Sequence, residues 1–438
     1  MLFAALSGIY FPMMNGAWAD IFSNVPPMTI PRAAFAGVTL TNGKALMLGG
    51  YSSGAAVTSS SELYDPAANS WSATGPMNNV RTGETATLLQ NGTALAVGGI
   101  YVFYSGVVAD AEVYYPTLGT WSNSGALNIP RYSHTATLLT NGGVLVVGGE
   151  AANGTYPSSA ELYNPLIGMW SMAGTISVGC VEHTATLLTN GNVLVVGGMT
   201  TNGTFLATPQ LYNPTTGNWT SGTPLPAGRA FHTATLLNNG NVLVAGGAGS
   251  SGTFSSSYIY NMTNGTWVAT GNLNIARYGH NATLLPNGKV LVAGGYGNSQ
   301  PTSAELYDPV AGTWKITASL NVTNYYPVAV LLGSGQVLIA GGTGPAGPTN
   351  VLASAEVYVT GPPIMLSNTE VVSGTLFEFG FTNLPRMSFT VMTSTNATTA
   401  GSNWTALGTA AEISPGHYQF SNSLTSTNGR QFYRVRGP

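Results

Sequence analysis

The chain has 438 residues, of which only 6% are charged, with 12 Lys and Arg against 15 Asp and Glu for a formal net charge of −3. That balance excludes the basic stripe that nucleic-acid binding needs, and a single cysteine, Cys180, excludes an intramolecular disulfide. The 57 Gly and 25 Pro, set among Val, Thr, Tyr and Leu, predict short strands with frequent turns and hence an all-β protein.

From Leu2 to Met14 the sequence is mostly apolar, and Ala17-Trp18-Ala19 follows as a small-x-small pattern. This predicts a signal peptide over residues 1–19, cleaved to leave Asp20 first, with a secreted or cell-surface protein as the product. Its positive flank is missing, because no Lys or Arg precedes Arg32, and a buried N-terminal strand is the alternative. No later segment reaches the ~18 apolar residues of a spanning helix, so no membrane span is expected.

A repeat then dominates the chain. Gly-Gly doublets end apolar runs at Gly49, Gly98, Gly148, Gly197, Gly246, Gly294 and Gly341. An aromatic residue stands 27 positions before each doublet: Phe22, then Trp71, Trp121, Trp170, Trp219, Trp267 and Trp314. Seven residues before each Trp comes a Tyr: Tyr64, Tyr114, Tyr163, Tyr212, Tyr260 and Tyr307. Each repeat reads as four strands, in the third copy over 134–140, 144–148, 160–163 and 170–172. Asn-Gly pairs from Asn42 to Asn287 supply the turn between strands one and two, and Asx-Pro pairs such as Asn164-Pro165 the turn between strands three and four. A meander that is apolar on both faces is buried only by stacking copies in a ring.

This pattern resembles the kelch family of β-propellers over about residues 20–358. The resemblance implies seven blades. The seventh copy has Tyr358 but Met365 where its Trp should stand, so residues 20–25, with Phe22 in the Trp register, are expected to close the ring. Residues 359–438 follow Gly361-Pro362-Pro363 and alternate at Phe377, Phe379 and Phe381, which predicts a small C-terminal β-sandwich. Their Asn383-Leu384-Pro385, Asn403-Trp404-Thr405 and closing Phe432-Tyr433-Arg434-Val435 resemble C-terminal modules of secreted bacterial proteins.

Candidate function falls on one face. Loops joining strands two to three and blade to blade share a rim, whereas the opposite face carries only tight turns. Ten residues after the register aromatic come Arg32, Arg81, Arg131, Arg229 and Arg277, interrupted by Cys180 and Asn324. The kelch resemblance implies arginines lining a central pocket, where eukaryotic adaptor members hold acidic peptides. The competing reading pairs each Arg with Glu62, Glu112, Glu161, Glu305 or Glu356 of its own blade. His134, His183, His232 and His280 invite a metal, but strand alternation turns them toward the neighbouring blade, so no metal and no cofactor are expected.

Galactose-oxidase-like copper enzymes share the ring. Cys180 has no neighbouring Tyr in a matching place to complete their site. The expected ligand-binding set is Arg131, Tyr132, Glu182, Arg229, Phe231, Arg277, Tyr278, Tyr325 and Tyr326, the break at Cys180 and Glu182 creating one distinctive pocket. These residues suit a non-catalytic protein that contacts a glycan, surface polymer or surface protein. A carbohydrate oxidase, a sugar epimerase and an envelope scaffold are the alternatives, since fold does not fix function.

Overall fold

The computed structural model describes residues 20–101, 106–297 and 302–360, together with strands within 2–13 and 365–436. The chain divides into Phe22–Tyr358 and a second unit made of Met1–Ile21 with Val359–Pro438. The first is a seven-bladed propeller of four-stranded antiparallel sheets. Blade three runs Thr135–Leu138, Val144–Val147, Ser159–Asn164 and Met169–Thr175, with the two inner strands shorter by three residues and one, and the two outer strands longer by two and four, than the sequence suggests.

Blade seven takes Val328–Leu331, Val337–Ala340 and Ala355–Val359 from one end of the propeller and Ile21–Val25 from the other, so the ring is closed by the N-terminal strand. Phe22 stacks on Tyr358 at 5.0 Å between ring centres. It takes the place of the tryptophan, as the pairs Tyr64–Trp71 and Tyr163–Trp170 show at 5.1 and 5.0 Å.

The second strand of every blade is wholly buried, as in Val144–Val147 and Val193–Val196, whereas the innermost strands are half-buried and flank a central channel. Blades are tied by their backbones. The second glycine of each doublet donates its N–H to the carbonyl of the arginine-register residue of the next blade, from Gly50 to Arg81 at 2.8 Å through to Gly342 to Arg32 at 2.8 Å. The Asn-Gly turns are three-residue loops in which only the glycine takes a positive φ. At Gly43, φ is 81°, its N–H reaches Leu40 O, and Asn42 Oδ1 accepts from Lys44 N.

In the second unit, Leu2–Leu6 and Ile9–Met13 form an antiparallel hairpin. The C-terminal module is a six-stranded antiparallel arrangement in which the ten-residue strand Thr405–Ser414 pairs with Phe389–Ser394 over its first half and His417–Ser423 over its second. The shared strand links the two halves in the order Met365–Val372, Leu376–Thr382, His417–Ser423, Thr405–Ser414, Phe389–Ser394 and Phe432–Arg436.

Candidate functional site

The arginine register folds inward. Arg131 is 0% exposed, and its Nη1 donates to Gly148 O and Ser159 O while Nη2 donates to Ser159 Oγ and Glu161 Oε1. Glu161 in turn accepts the N–H groups of Asn128 and Ile129. Arg32–Glu62, Arg81–Glu112 and Arg277–Glu305 repeat this buried pair.

Arg229 is also 0% exposed, and among the described residues no carboxylate pairs with it. It is held by Gly246 O, Ser256 O and Ser256 Oγ, with its guanidinium over the rings of Phe254 and Tyr258 at 4.8 and 5.1 Å. Burial without a carboxylate lowers its pKa to about 10. The expected ligand contacts at Arg131, Arg229 and Arg277 are therefore corrected: carbonyls of each blade's own glycine doublet and serine draw the guanidinium inside, so none is presented on the rim.

The histidines also tie blades. Nε2 of His134, His183 and His232 lies 3.0 Å from the hydroxyls of Thr85, Thr135 and Thr184 of the preceding blade, and that of His280 lies 3.1 Å from Thr233. Desolvation holds His134 and His280 down at about 3 and His183 at about 4.

What reaches the channel mouth is the residue two positions after the arginine register. Ala34, Ser133, Glu182, Phe231 and Tyr326 all have φ between 46° and 57°, and Gly83 and Gly279 occupy the same position in blades two and six. Backbone bonds run between them from blade to blade, from Gly83 N to Ala34 O, Ser133 N to Gly83 O, Phe231 N to Glu182 O and Gly279 N to Phe231 O. A non-glycine residue in this left-handed conformation costs roughly 1–2 kcal/mol, and such strain concentrates at functional positions.

The three largest side chains of this ring sit in blades four, five and seven. Tyr326 is 40% exposed. Its ring lies where a Cβ on Gly279 would come within 2.5 Å of it, so the glycine makes room for it. Phe231 lies 5.8 Å from Tyr278 and 6.3 Å from Tyr326. Beneath them Tyr296 stacks on Tyr278 at 5.3 Å and on Tyr325 at 3.7 Å. Tyr325, only 2% exposed, is thus a support rather than a contact surface. Burial pushes the Glu182 carboxyl up to about 7, and burial together with that carboxylate raises the Tyr326 hydroxyl.

Of the expected set, the structure brings together Glu182, Phe231, Tyr278, Tyr325 and Tyr326. Tyr132 lies on the far side of the mouth, packed over Gly83. Tyr296 was not singled out from the sequence. Its signal is its place directly after the Gly-Gly doublet, where its backbone pairs with Tyr278. Cys180 is 1% exposed, and burial pushes its thiol up to about 12; it lies inside blade four rather than beside Glu182 on the rim.

The family model of the KLHDC2/KLHL20/DRC7 kelch-repeats domain matches residues 133–342. Among solved structures, a fungal alcohol oxidase of the AA5 family, in complex with copper, has a TM-score of 0.63 at 16% identity over 93% of this chain and 92% of that one. YjhT has a TM-score of 0.52 at 17% identity, over 67% of this chain and 99% of its own. At these identities the likeness is one of fold. No curated protein sequence matches the chain.

Among the described residues no three His, Cys, Asp or Glu side chains converge on a common point. Each propeller histidine is instead committed to a threonine of its neighbouring blade. Residues 133–342 thus match a kelch-repeat family model and lie within a seven-bladed β-propeller.

Proposed function

We propose that this is an exported, non-catalytic binding protein whose channel mouth takes up a neutral, hydroxyl-rich ligand, a glycan or surface polysaccharide. The observation that carries the reading is the exposed ring of Tyr326, held in a strained backbone over Gly279 beside Phe231 and above the Tyr278–Tyr296–Tyr325 stack. Flat rings with few charges around them suit the apolar faces of sugar rings, and Glu182 offers a carboxyl for hydroxyl groups. Export is supported by the apolar Leu2–Met14 segment and Ala17-Trp18-Ala19. A protein ligand at the same mouth is the second reading, favoured by the kelch-repeat match.

The test is a broad glycan array with the wild-type protein, followed by Phe231→Ala and Tyr326→Ala on any hit. Loss of one stacking contact removes ~1–1.5 kcal/mol, which weakens binding about five- to tenfold. A silent array, or unchanged affinity in the folded double variant, removes the glycan reading. A peroxide-release assay with added copper on sugars and alcohols addresses the oxidase alternative, and turnover there would overturn the non-catalytic assignment.

A further inference from the structure

Blade four lacks both members of the buried ion pair, with Cys180 in the place of the arginine and Gln210 in that of the glutamate. Their absence leaves a cavity of about 200 Å³ lined by Cys180, Gly197, Phe205, Leu206, Thr208 and Gln210, with Ser177 and Val178 at its edge. This is far more than the ~10–15 Å³ a single water needs.

Ile176, Val195 and Ala207 complete an otherwise apolar lining, and polar backbone lies in the register where the other blades hold a guanidinium. Gly197 O and Thr208 O are the counterparts of Gly148 O and Ser159 O, which both accept from Arg131 in blade three. Ser177 and Val178 correspond to Asn128 and Ile129, whose N–H groups bind Glu161. Gln210 does not fill the space, because its Nε2 turns to Pro209 O and Ser221 Oγ. Ser177, Val178 and Thr208 are exposed, so the cavity opens to solvent.

We infer that this cavity is a receptor for a guanidinium group supplied from outside the chain. Blade five supplies the energetic precedent within the same molecule: Arg229 is buried there on two backbone carbonyls, one serine hydroxyl and two aromatic faces, without a carboxylate. Gly197 and Thr208 hold the same register positions in blade four and line the cavity, Thr208 Oγ1 matching Ser256 Oγ, while Leu206 and Gln210 stand where Phe254 and Tyr258 flank Arg229. The open edge leaves a path for the alkyl stem. The head group comes either from a small guanidino compound or from an arginine side chain of a polypeptide.

Isothermal titration of the intact protein with methylguanidinium chloride, and in a second arm with an acetylated, amidated arginine dipeptide, tests this directly. Sodium chloride and tetramethylammonium chloride are the controls. The expected result is one saturable site per chain for at least one guanidinium probe, none for the controls, and a melting temperature raised by about 1–3 °C at saturation. Methylguanidinium binding without dipeptide binding assigns the small-molecule source, and binding of both assigns access for a polypeptide side chain.

Cys180→Arg with Gln210→Glu restores the internal pair and should abolish binding. Cys180→Met, which fills the space with an uncharged chain, is the second blocking variant should the first fail to fold. No saturable guanidinium binding by the wild type, or equal binding by a folded blocking variant, overturns the assignment.

Discussion

At Gly98 a Cβ would stand 2.4 Å from the carbonyl oxygen of Arg131 and 2.8 Å from His134 Cε1, which no side chain tolerates. The doublet is therefore a crossing point between blades as well as a turn, and the arginine that follows it in the next blade is placed by the same crossing. Removing one member of an Arg–Glu pair strands a buried charge and costs about 3–5 kcal/mol, whereas removing both together costs far less than the sum. In blade three, Arg131→Cys and Glu161→Gln should each lower stability by that amount in urea unfolding. The double variant, which reproduces the residues blade four already carries, should be more stable than either single loss implies. Strict additivity would show that the two side chains act independently and would undo this account of why Cys180 and Gln210 occur together. Residue-scale strain is the harder feature to read. Ala34, Ser133, Glu182, Phe231 and Tyr326 share a left-handed backbone but no residue type, so only Gly83 and Gly279 among their counterparts carry a compositional mark.

The closing strand Ile21–Val25 is the element on which the ring depends. Phe22 is 8% exposed and packs in one cluster with Leu320, Ile339 and Tyr358, while Asn321 Nδ2 donates to Phe22 O and Asn24 Oδ1. Phe22→Ala should cost about 3–5 kcal/mol in chemical unfolding, as for other buried phenylalanines. Deleting Asp20–Asn24 should uncover an unpaired strand edge on Ala355–Val359 and promote aggregation; a soluble deletion variant with unchanged melting would show that the ring closes by other means. That strand was legible because its register is fixed by distance: Phe22 precedes Gly49 by the spacing each Trp keeps to its own doublet. The buried pairs were legible for the same reason, as two registers meeting within each blade. The aromatic mouth was legible only in part. Tyr278, Tyr325 and Tyr326 adjoin the arginine register, but Tyr296, though fixed directly after its doublet, occupies a position that shares no single residue type across blades, where Ile100, Glu150, Met199 and Ala248 also stand. Charge type misled at Arg131 and Arg229. A cation in a rim loop reads as ligand-facing until the carbonyls that capture it are located.

Across the whole propeller, buried titratable groups of opposite kind set how stability depends on pH. His134 and His280 are held down at about 3 and His183 at about 4, with His232 also far below its ordinary 6.5, all first through desolvation. Below pH 6.5 the unfolded chain therefore binds protons at four sites that the folded ring refuses, so stability falls on acidification. Glu84 and Glu182 act in the opposite sense, desolvation raising them from 4.5 to about 8 and about 7. Between pH 4.5 and 6.5 their two sites are outnumbered by the four histidines. Above 6.5 the histidines are neutral in both states, and the folded ring alone retains protons on the glutamates, so stability falls again toward pH 8. The melting temperature should pass through a maximum near pH 6.5. Glu84 occupies the histidine register in blade two, opposite Ala36 where the next four blades' histidines meet a threonine hydroxyl. Glu84→Gln keeps the shape, removes the titration, and should flatten most of the decline between pH 6.5 and 8 while leaving the acid limb in place. Calorimetry from pH 4 to 9 on both proteins decides it: a wild-type curve rising steadily to pH 8, or a decline unchanged in the variant, would show that Glu84 does not stay protonated in the folded ring.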